Sequence, residues 1–179
     1  MEGQWDDDLS DRTSVRPTLE LLERLRVIQF IHKDVATQAE LDHYLNRWSL
    51  RANSGYSVGY FAMHGTPAKL VLSRRSSVTL HHIAQELDGR CSGRRLYFGS
   101  CRVLNASQTT LRDFLNQTKA ELICGYTKDV DWVESSAFDT MLLTHLAYGT
   151  QKDLLAKPHW QAVTQQLGFK IIYADGRRR

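Results

Sequence analysis

The residues of this chain best suited to chemistry are His64 and Cys101. Each follows a short apolar run: Tyr60-Phe61-Ala62-Met63 leads to His64-Gly65, and Leu96-Tyr97-Phe98-Gly99-Ser100 leads to Cys101. Both runs read as buried strands. In an open α/β sheet, ligands and chemistry gather beyond the carboxyl ends of the strands. If these two strands are parallel neighbours, an imidazole and a thiol meet at that edge as a nucleophile–base pair. Cysteine attacks as the thiolate, so His64 would take the thiol proton and later return it to a leaving amine. The backbone N–H groups of Gly65 and Cys101 are the expected oxyanion donors, and a glycine after the histidine leaves room for close approach.

A lone cysteine at a strand end is usually a small buried hydrophobe, and a lone histidine there is more often a core or edge residue than a catalyst. Their joint placement, with one helix-sized segment between them, sets this pair apart. Cys91, just past a helix end, and Cys124, inside a strand, read as structural. His81 and His82 are adjacent on a helix and point to different faces, so no metal site is expected there. His145 reads as a core-edge residue and Lys128 as a solvated loop charge. Asp129 and Asp131 fit either loop and capping roles or an acidic contact with substrate.

The elements that must position the pair alternate along the chain. Met1 to Asp11 is polar and acidic, and Asp6-Asp7-Asp8 is too charged for a core element. A helix follows, capped by Ser14, with Pro17 in its first turn and a stripe of Val15, Leu19, Leu22 and Leu25. Arg26 to Ile31 reads as a strand. Thr37-Gln38-Ala39-Glu40 has the capping-box form and opens a helix with Leu41, Tyr44, Leu45 and Trp48 on its buried face. After the strand Ser57–Met63, Gly65-Thr66-Pro67 is loop chemistry and Leu70–Ser73 a short hairpin strand. A helix with Leu80, Ile83, Ala84 and Leu87 stops at Gly89. The strand from Arg95 precedes Cys101, and a helix begun by Thr109 or Thr110 carries Leu111, Phe114 and Leu115. Ala120 to Tyr126 is a strand and Thr127 to Asp131 a polar loop. A longer helix then carries Phe138, Met141, Leu142, His145 and Leu146. Pro158 opens a last helix, Gly168 ends it, and Phe169 to Tyr173 is a final strand. This alternation implies a mostly parallel sheet covered on both faces: a flavodoxin-like, three-layer α/β/α sandwich.

With 179 residues, 42% apolar and 24% charged, the chain has the make-up of one soluble globular domain, spanning residues 1–176. The formal charge of +3 owes much to the basic tail Arg177-Arg178-Arg179, so no electrostatic footprint for nucleic acid is expected. No apolar run approaches membrane-spanning length and no signal peptide is visible. Three cysteines without metal-type spacing suit reduced thiols and a cytoplasmic setting. A flavodoxin-like nucleotide or flavin binder is disfavoured, since no Gly-rich phosphate loop follows an early strand.

Three segments together, Met63-His64-Gly65, Gly99-Ser100-Cys101 and Gly125 to Trp132, resemble the caspase-like (clan CD) cysteine peptidases, which include caspases, separases and CHAT domains. The likeness runs from about Arg26 to Tyr173 and is closest to the CHAT and separase types. It implies a caspase-like sheet and a cysteine endopeptidase that works through a Cys101 thioester, with His64 as general acid/base and neither metal nor cofactor. It also implies a polypeptide substrate cut after Arg or Lys, with Asp129 or Asp131 receiving the basic side chain, and control by a regulatory partner or self-association. In one respect the chain departs from the family pattern. Caspase-like domains begin with a central strand, and Met1 to Trp5 is a poor candidate, so residues 1–12 are expected either to lack that strand or to hold an atypical one. The alternative is a catalytically silent caspase-like or flavodoxin-like module that acts by protein–protein binding.

Overall fold

The structure is a computed structural model that describes residues 1–149 and 155–175. The basic tail 177–179 lies outside the described residues. A four-stranded sheet holds β1 (Val58–Phe61), β5 (Arg95–Phe98), β6 (Leu122–Tyr126) and β7 (Phe169–Tyr173), in that spatial order. The first three run parallel and β7 closes one edge antiparallel to β6. Successive residues of a strand point to opposite faces, and the two cores follow that period. Phe61, Leu96, Phe98 and Ile123 face one layer, and Ala62, Tyr97, Leu122, Cys124 and Tyr126 face the other. The first layer is built from α2 (Gln38–Ser49), α3 (Leu80–Leu87) and α4 (Gln108–Thr118). The second is built from α1 (Arg16–Arg24), α5 (Trp132–Tyr148) and α6 (Pro158–Leu167). The expected three-layer α/β/α arrangement with a mostly parallel sheet is therefore present.

Local chemistry explains the helix starts. Thr37 and Glu40 satisfy each other's free N–H groups in a complete capping box. Ser107, two or three residues earlier than expected, caps α4 by accepting from the Thr110 N–H, and Thr79 caps α3. Gly149 and Gly168 end α5 and α6 in the left-handed conformation that glycine adopts without a Cβ clash. In α1, Val15, Leu19 and Leu22 are buried, but Leu25 is exposed, because the helix ends at Arg24 and the chain turns away.

Three sequence expectations are corrected. Arg26 to Ile31 is not a strand: Arg26 adopts φ of 58°, and the residues after it run beside the sheet without joining it. The stretch Ser57–Met63 is not one strand ending at His64. β1 stops at Phe61, and His64–Thr66 is a separate strand, β2, which forms a small antiparallel sheet with β3 (Lys69–Ser73) and β4 (Ser76–Thr79). Gly65 and Thr66 thus belong to a strand, with the turn made by Pro67 and Ala68. Finally, Met1–Gly3 supplies a short extended segment at the β1 edge despite its polar composition. Glu2 makes parallel bridges to Ala62 on one side and Asp34 on the other.

Candidate active site

β1 and β5 pair in parallel with Phe61 opposite Phe98. Three residues beyond these partners stand His64 and Cys101. Both therefore follow the carboxyl ends of adjacent parallel strands, His64 as the first residue of β2 in the smaller sheet. The Gly99 N–H donates to the Phe61 carbonyl at 2.9 Å, and the Ser100 hydroxyl donates to the same oxygen at 3.3 Å, fixing the exits together. Gly65 packs directly on this turn: a Cβ there would lie 2.6 Å from the Cys101 carbonyl oxygen and 2.5 Å from Val103 Cγ2. Arg102 then takes φ of 61°, a left-handed bend immediately after the cysteine. The Ala68 N–H donates to the Val103 carbonyl at 3.1 Å, tying the β2–β3 turn to the segment after Cys101.

The His64 ring is exposed and its Nε2 lies 2.8 Å from the Trp5 carbonyl oxygen. Trp5 also packs edge-on against the imidazole, with ring centroids 5.3 Å apart, and against Trp132 at 4.6 Å. Cys101 is a half-buried free thiol. Cys91 and Cys124 are fully buried, and burial pushes the Cys91 thiol up to about 11 and raises that of Cys124 well above its ordinary value. The fold thus sets Cys101 apart from the other two thiols.

The two candidate acids have different settings. Asp131 is the N-cap of α5, its Oδ1 accepting from the Val133 and Glu134 N–H groups at 2.8 and 3.0 Å. Asp129 is exposed, with one oxygen 3.8 Å from Arg102 Nη1. Neither sits in a desolvated pocket. The loop that carries them does adjoin the cysteine turn, for the Arg102 N–H donates to the Lys128 carbonyl at 3.2 Å. Lys128 is exposed and His145 is a half-buried residue whose Nδ1 lies 2.8 Å from the Met141 carbonyl.

Two residues that position this edge were invisible in the sequence. Glu2 is buried and its carboxylate is fully occupied: Oε1 accepts from Trp5 Nε1 at 2.6 Å and the Val15 N–H at 2.8 Å, while Oε2 meets Ser14 Oγ at 2.7 Å and His32 Nε2 at 2.6 Å. Burial pushes its carboxyl up, but the bonds from His32, Ser14, Trp5 and Val15 outweigh this and hold it below the ordinary range. Glu2 therefore fixes Trp5, whose carbonyl in turn holds His64. Asp139, on α5, is the second. Three phenols from three adjacent parallel strands converge on it: Tyr60 donates to Oδ2 at 2.6 Å, Tyr126 to Oδ1 at 2.9 Å, and Tyr97 to Oδ1 as well. The Tyr97 and Tyr126 hydroxyl oxygens lie 2.9 Å apart, so either can donate to the other in place of Oδ1. Burial raises the Asp139 carboxyl, with the tyrosine bonds opposing, and burial raises all three phenols.

Among the described residues two side-chain groups have metal-compatible composition: Glu2, His32 and Asp34, and Asp42, His82 and Glu86. The first has both Glu2 oxygens committed. In the second, His82 Nε2 lies 2.8 Å from Asp42 Oδ1 and Asn46 donates to Glu86 at 3.0 Å, which closes the group as an interhelical contact between α2 and α3. His82 thus finds carboxylates across the helix pair, which the adjacency of His81 and His82 did not suggest.

Fold and edge together define an α/β sandwich with a histidine and a cysteine in the segments that follow two neighbouring parallel strands. The chain belongs to a family of unknown function (DUF6642), which matches residues 1–173. No curated protein matches it. No helix among the described residues is long and apolar enough to cross a membrane.

Proposed function

We propose that the chain is a caspase-like cysteine endopeptidase with Cys101 as nucleophile and His64 as general acid/base. The observation that supports this reading is the parallel pairing of β1 with β5, the two strands whose carboxyl ends precede His64 and Cys101. In the proposed reaction the imidazole turns from the Trp5 carbonyl and takes the Cys101 proton. The thiolate then adds to the scissile carbonyl carbon, and the N–H groups of Gly65 and Cys101 receive the negative oxygen. Collapse breaks the C–N bond as His64 returns the proton to the departing amine, leaving a thioester. Water, deprotonated by His64, adds to the thioester and releases the acid and the thiol.

For the residue before the cut we favour Arg, then Lys, received by Asp129. Asp131 already spends an oxygen on the α5 N-terminus, whereas Asp129 is paired only with the exposed Arg102. An exposed pair contributes about 1 kcal/mol or less, so the preference owed to Asp129 is several-fold rather than hundredfold. Control by a partner or by self-association belongs to the same reading. So does a cytoplasmic location.

A second reading, a silent module that acts by binding, draws on the His64–Trp5 contact, which occupies the imidazole with a backbone oxygen. Digestion of a peptide library by the wild-type chain and by Cys101→Ala separates the two. Cleavage after basic residues that disappears in Cys101→Ala supports the peptidase, and no cleavage by either chain supports the binding module.

A further inference from the structure

Beside β1 runs a cavity of about 590 Å³. One long wall is Ser57–Tyr60 of the β1 edge, and the other is formed by residues 28–33. Above and below lie apolar side chains: Tyr44 and Trp48 of α2 on one face, Val15, Leu19 and Leu143 of α1 and α5 on the other. The first wall is the open edge of a strand, and the second is an irregular segment that joins no sheet. β5 binds the carbonyls of Ser57 and Phe61 through the Arg95 and Gly99 N–H groups, each at 2.9 Å. The backbone groups of the alternate residues, Val58 and Tyr60, therefore turn away from β5 and toward the cavity. On the opposite wall, among the described residues, the backbone of Gln29 to His32 bonds to no other backbone group.

Further along, β1 and the segment after residue 33 already flank the short extended piece Met1–Gly3. Met1 accepts from the Ala62 N–H at 3.0 Å and the Gly3 N–H donates to Ala62 at 2.9 Å. On the other side, the Glu2 N–H donates to Lys33 at 2.9 Å, and the Val35 N–H donates to Glu2 at 2.8 Å. Both bridges are parallel. Met1 also lines the cavity, and its nitrogen donates to the Tyr60 carbonyl at 2.9 Å, so of the Tyr60 backbone groups the N–H is the one left open.

We propose that the cavity is a docking slot for an extended segment of a partner polypeptide, which adds a strand parallel to β1 between it and residues 28–33. Main-chain hydrogen bonds to the open β1 edge and to the unpaired backbone of Gln29 to His32 supply the binding, and the side-chain environment supplies the selection. Because both faces of the slot are apolar, the segment is a continuous apolar run rather than an alternating one. Ser57–Tyr60 offers a wall for about four residues at the rise of a strand. The lining includes Lys33, His43 and Arg47 and no carboxylate, so the run is flanked by acidic residues. The backbone of Gln29 to His32 and the Val58 and Tyr60 N–H groups have no backbone partner, and an added strand gives them one where a compact apolar molecule would not. This inference is independent of the chemistry proposed for His64 and Cys101.

The test uses the full chain and an acetyl- and amide-capped peptide with a Val-Ile-Phe-Val core between glutamates, beside a control with serine at alternate core positions. Binding is followed by Trp48 fluorescence, and amide hydrogen exchange is read by NMR. The expected result is saturable binding of the apolar peptide, with Val58 and Tyr60 amides slowed about tenfold or more and the Phe61 amide, which faces β5, unchanged. Arg47→Glu, an exposed change on α2, should weaken binding, and so should Ala147→Phe, which fills the slot from α5. The proposal is overturned by any of four outcomes: no saturation up to about 1 mM peptide, equal binding of the serine control, binding without protection of Val58 and Tyr60, or decanoate occupying the slot while the peptide does not. Protection that appears without peptide as protein concentration rises would also overturn it, since a second copy would then be the occupant.

Discussion

Removing the Asp139 carboxylate should be among the most damaging single changes in the chain, and the structure sets its size. Asp139→Ala takes the acceptor from Tyr60, Tyr97 and Tyr126 at once. Without Asp139, Tyr97 and Tyr126 bond each other across their 2.9 Å separation, so two hydroxyls, that of the half-buried Tyr60 and one of this buried pair, lose their partner. At about 1–3 kcal/mol for each stranded polar group, the loss is about 2–6 kcal/mol. Asp139→Asn keeps the volume and one carbonyl acceptor, so it should cost less. The raised Asp139 carboxyl gives the pH sign. Its stabilising contribution is full below the ordinary aspartate range and is lost as pH rises through its higher folded value. Asp139→Asn should erase that dependence. Urea melts of wild type, Asp139→Ala, Asp139→Asn and Tyr60→Phe, repeated across pH, measure all of this. A loss below about 1 kcal/mol for Asp139→Ala would show that the three tyrosines do not depend on this carboxylate.

Gly65→Ala drives a Cβ into the Cys101 carbonyl and Val103, neither of which can swing aside. It should destabilise by about 1–3 kcal/mol in denaturant melts, while Gly55→Ala, with nothing within 4 Å, serves as a near-neutral control. Glu2 titrates in the opposite sense to Asp139: its lowered carboxyl contributes stability above the ordinary glutamate range, lost as pH falls through the folded value, so Glu2→Gln should flatten the acid limb of the stability curve. Asp129→Ala should reduce selectivity for Arg over apolar peptides several-fold, as expected for an exposed charge, whereas Asp131→Ala should chiefly loosen the α5 N-terminus, by about 1 kcal/mol in a thermal melt.

What the sequence made legible is what short-range chemistry determines. The capping box at Thr37, the stops at Gly89 and Gly168, and the apolar runs of β5 and β6 are local, and each stands where expected. The parallel pairing of the two apolar runs that precede His64 and Cys101 was also legible. Long-range partnerships were not. Nothing local in Met1-Glu2-Gly3 announces a strand segment, since its pairing is supplied by Ala62 and Lys33 from far along the chain. Asp139 occupies one position of the buried stripe with Leu142, Leu143 and Leu146, where an aspartate contradicts the pattern unless three distant tyrosines are known to meet it. The weak clue was a tyrosine on each of three strands: Tyr60 and Tyr97 pair across β1 and β5, and Tyr126 ends β6. β2 escaped notice because only two residues separate it from β1, so two strands in different sheets read as one run.

The activation of Cys101 by His64 is tested most directly by the iodoacetamide reaction of each thiol at neutral pH, followed by mass spectrometry of the labelled peptides. The dyad predicts that Cys101 is alkylated far ahead of the buried Cys91 and Cys124, and that His64→Ala slows Cys101 about tenfold or more without changing the other two. Exposure alone would also favour Cys101, so the His64 variant is the deciding arm. An unchanged Cys101 rate in His64→Ala, with the fold intact, would contradict the account.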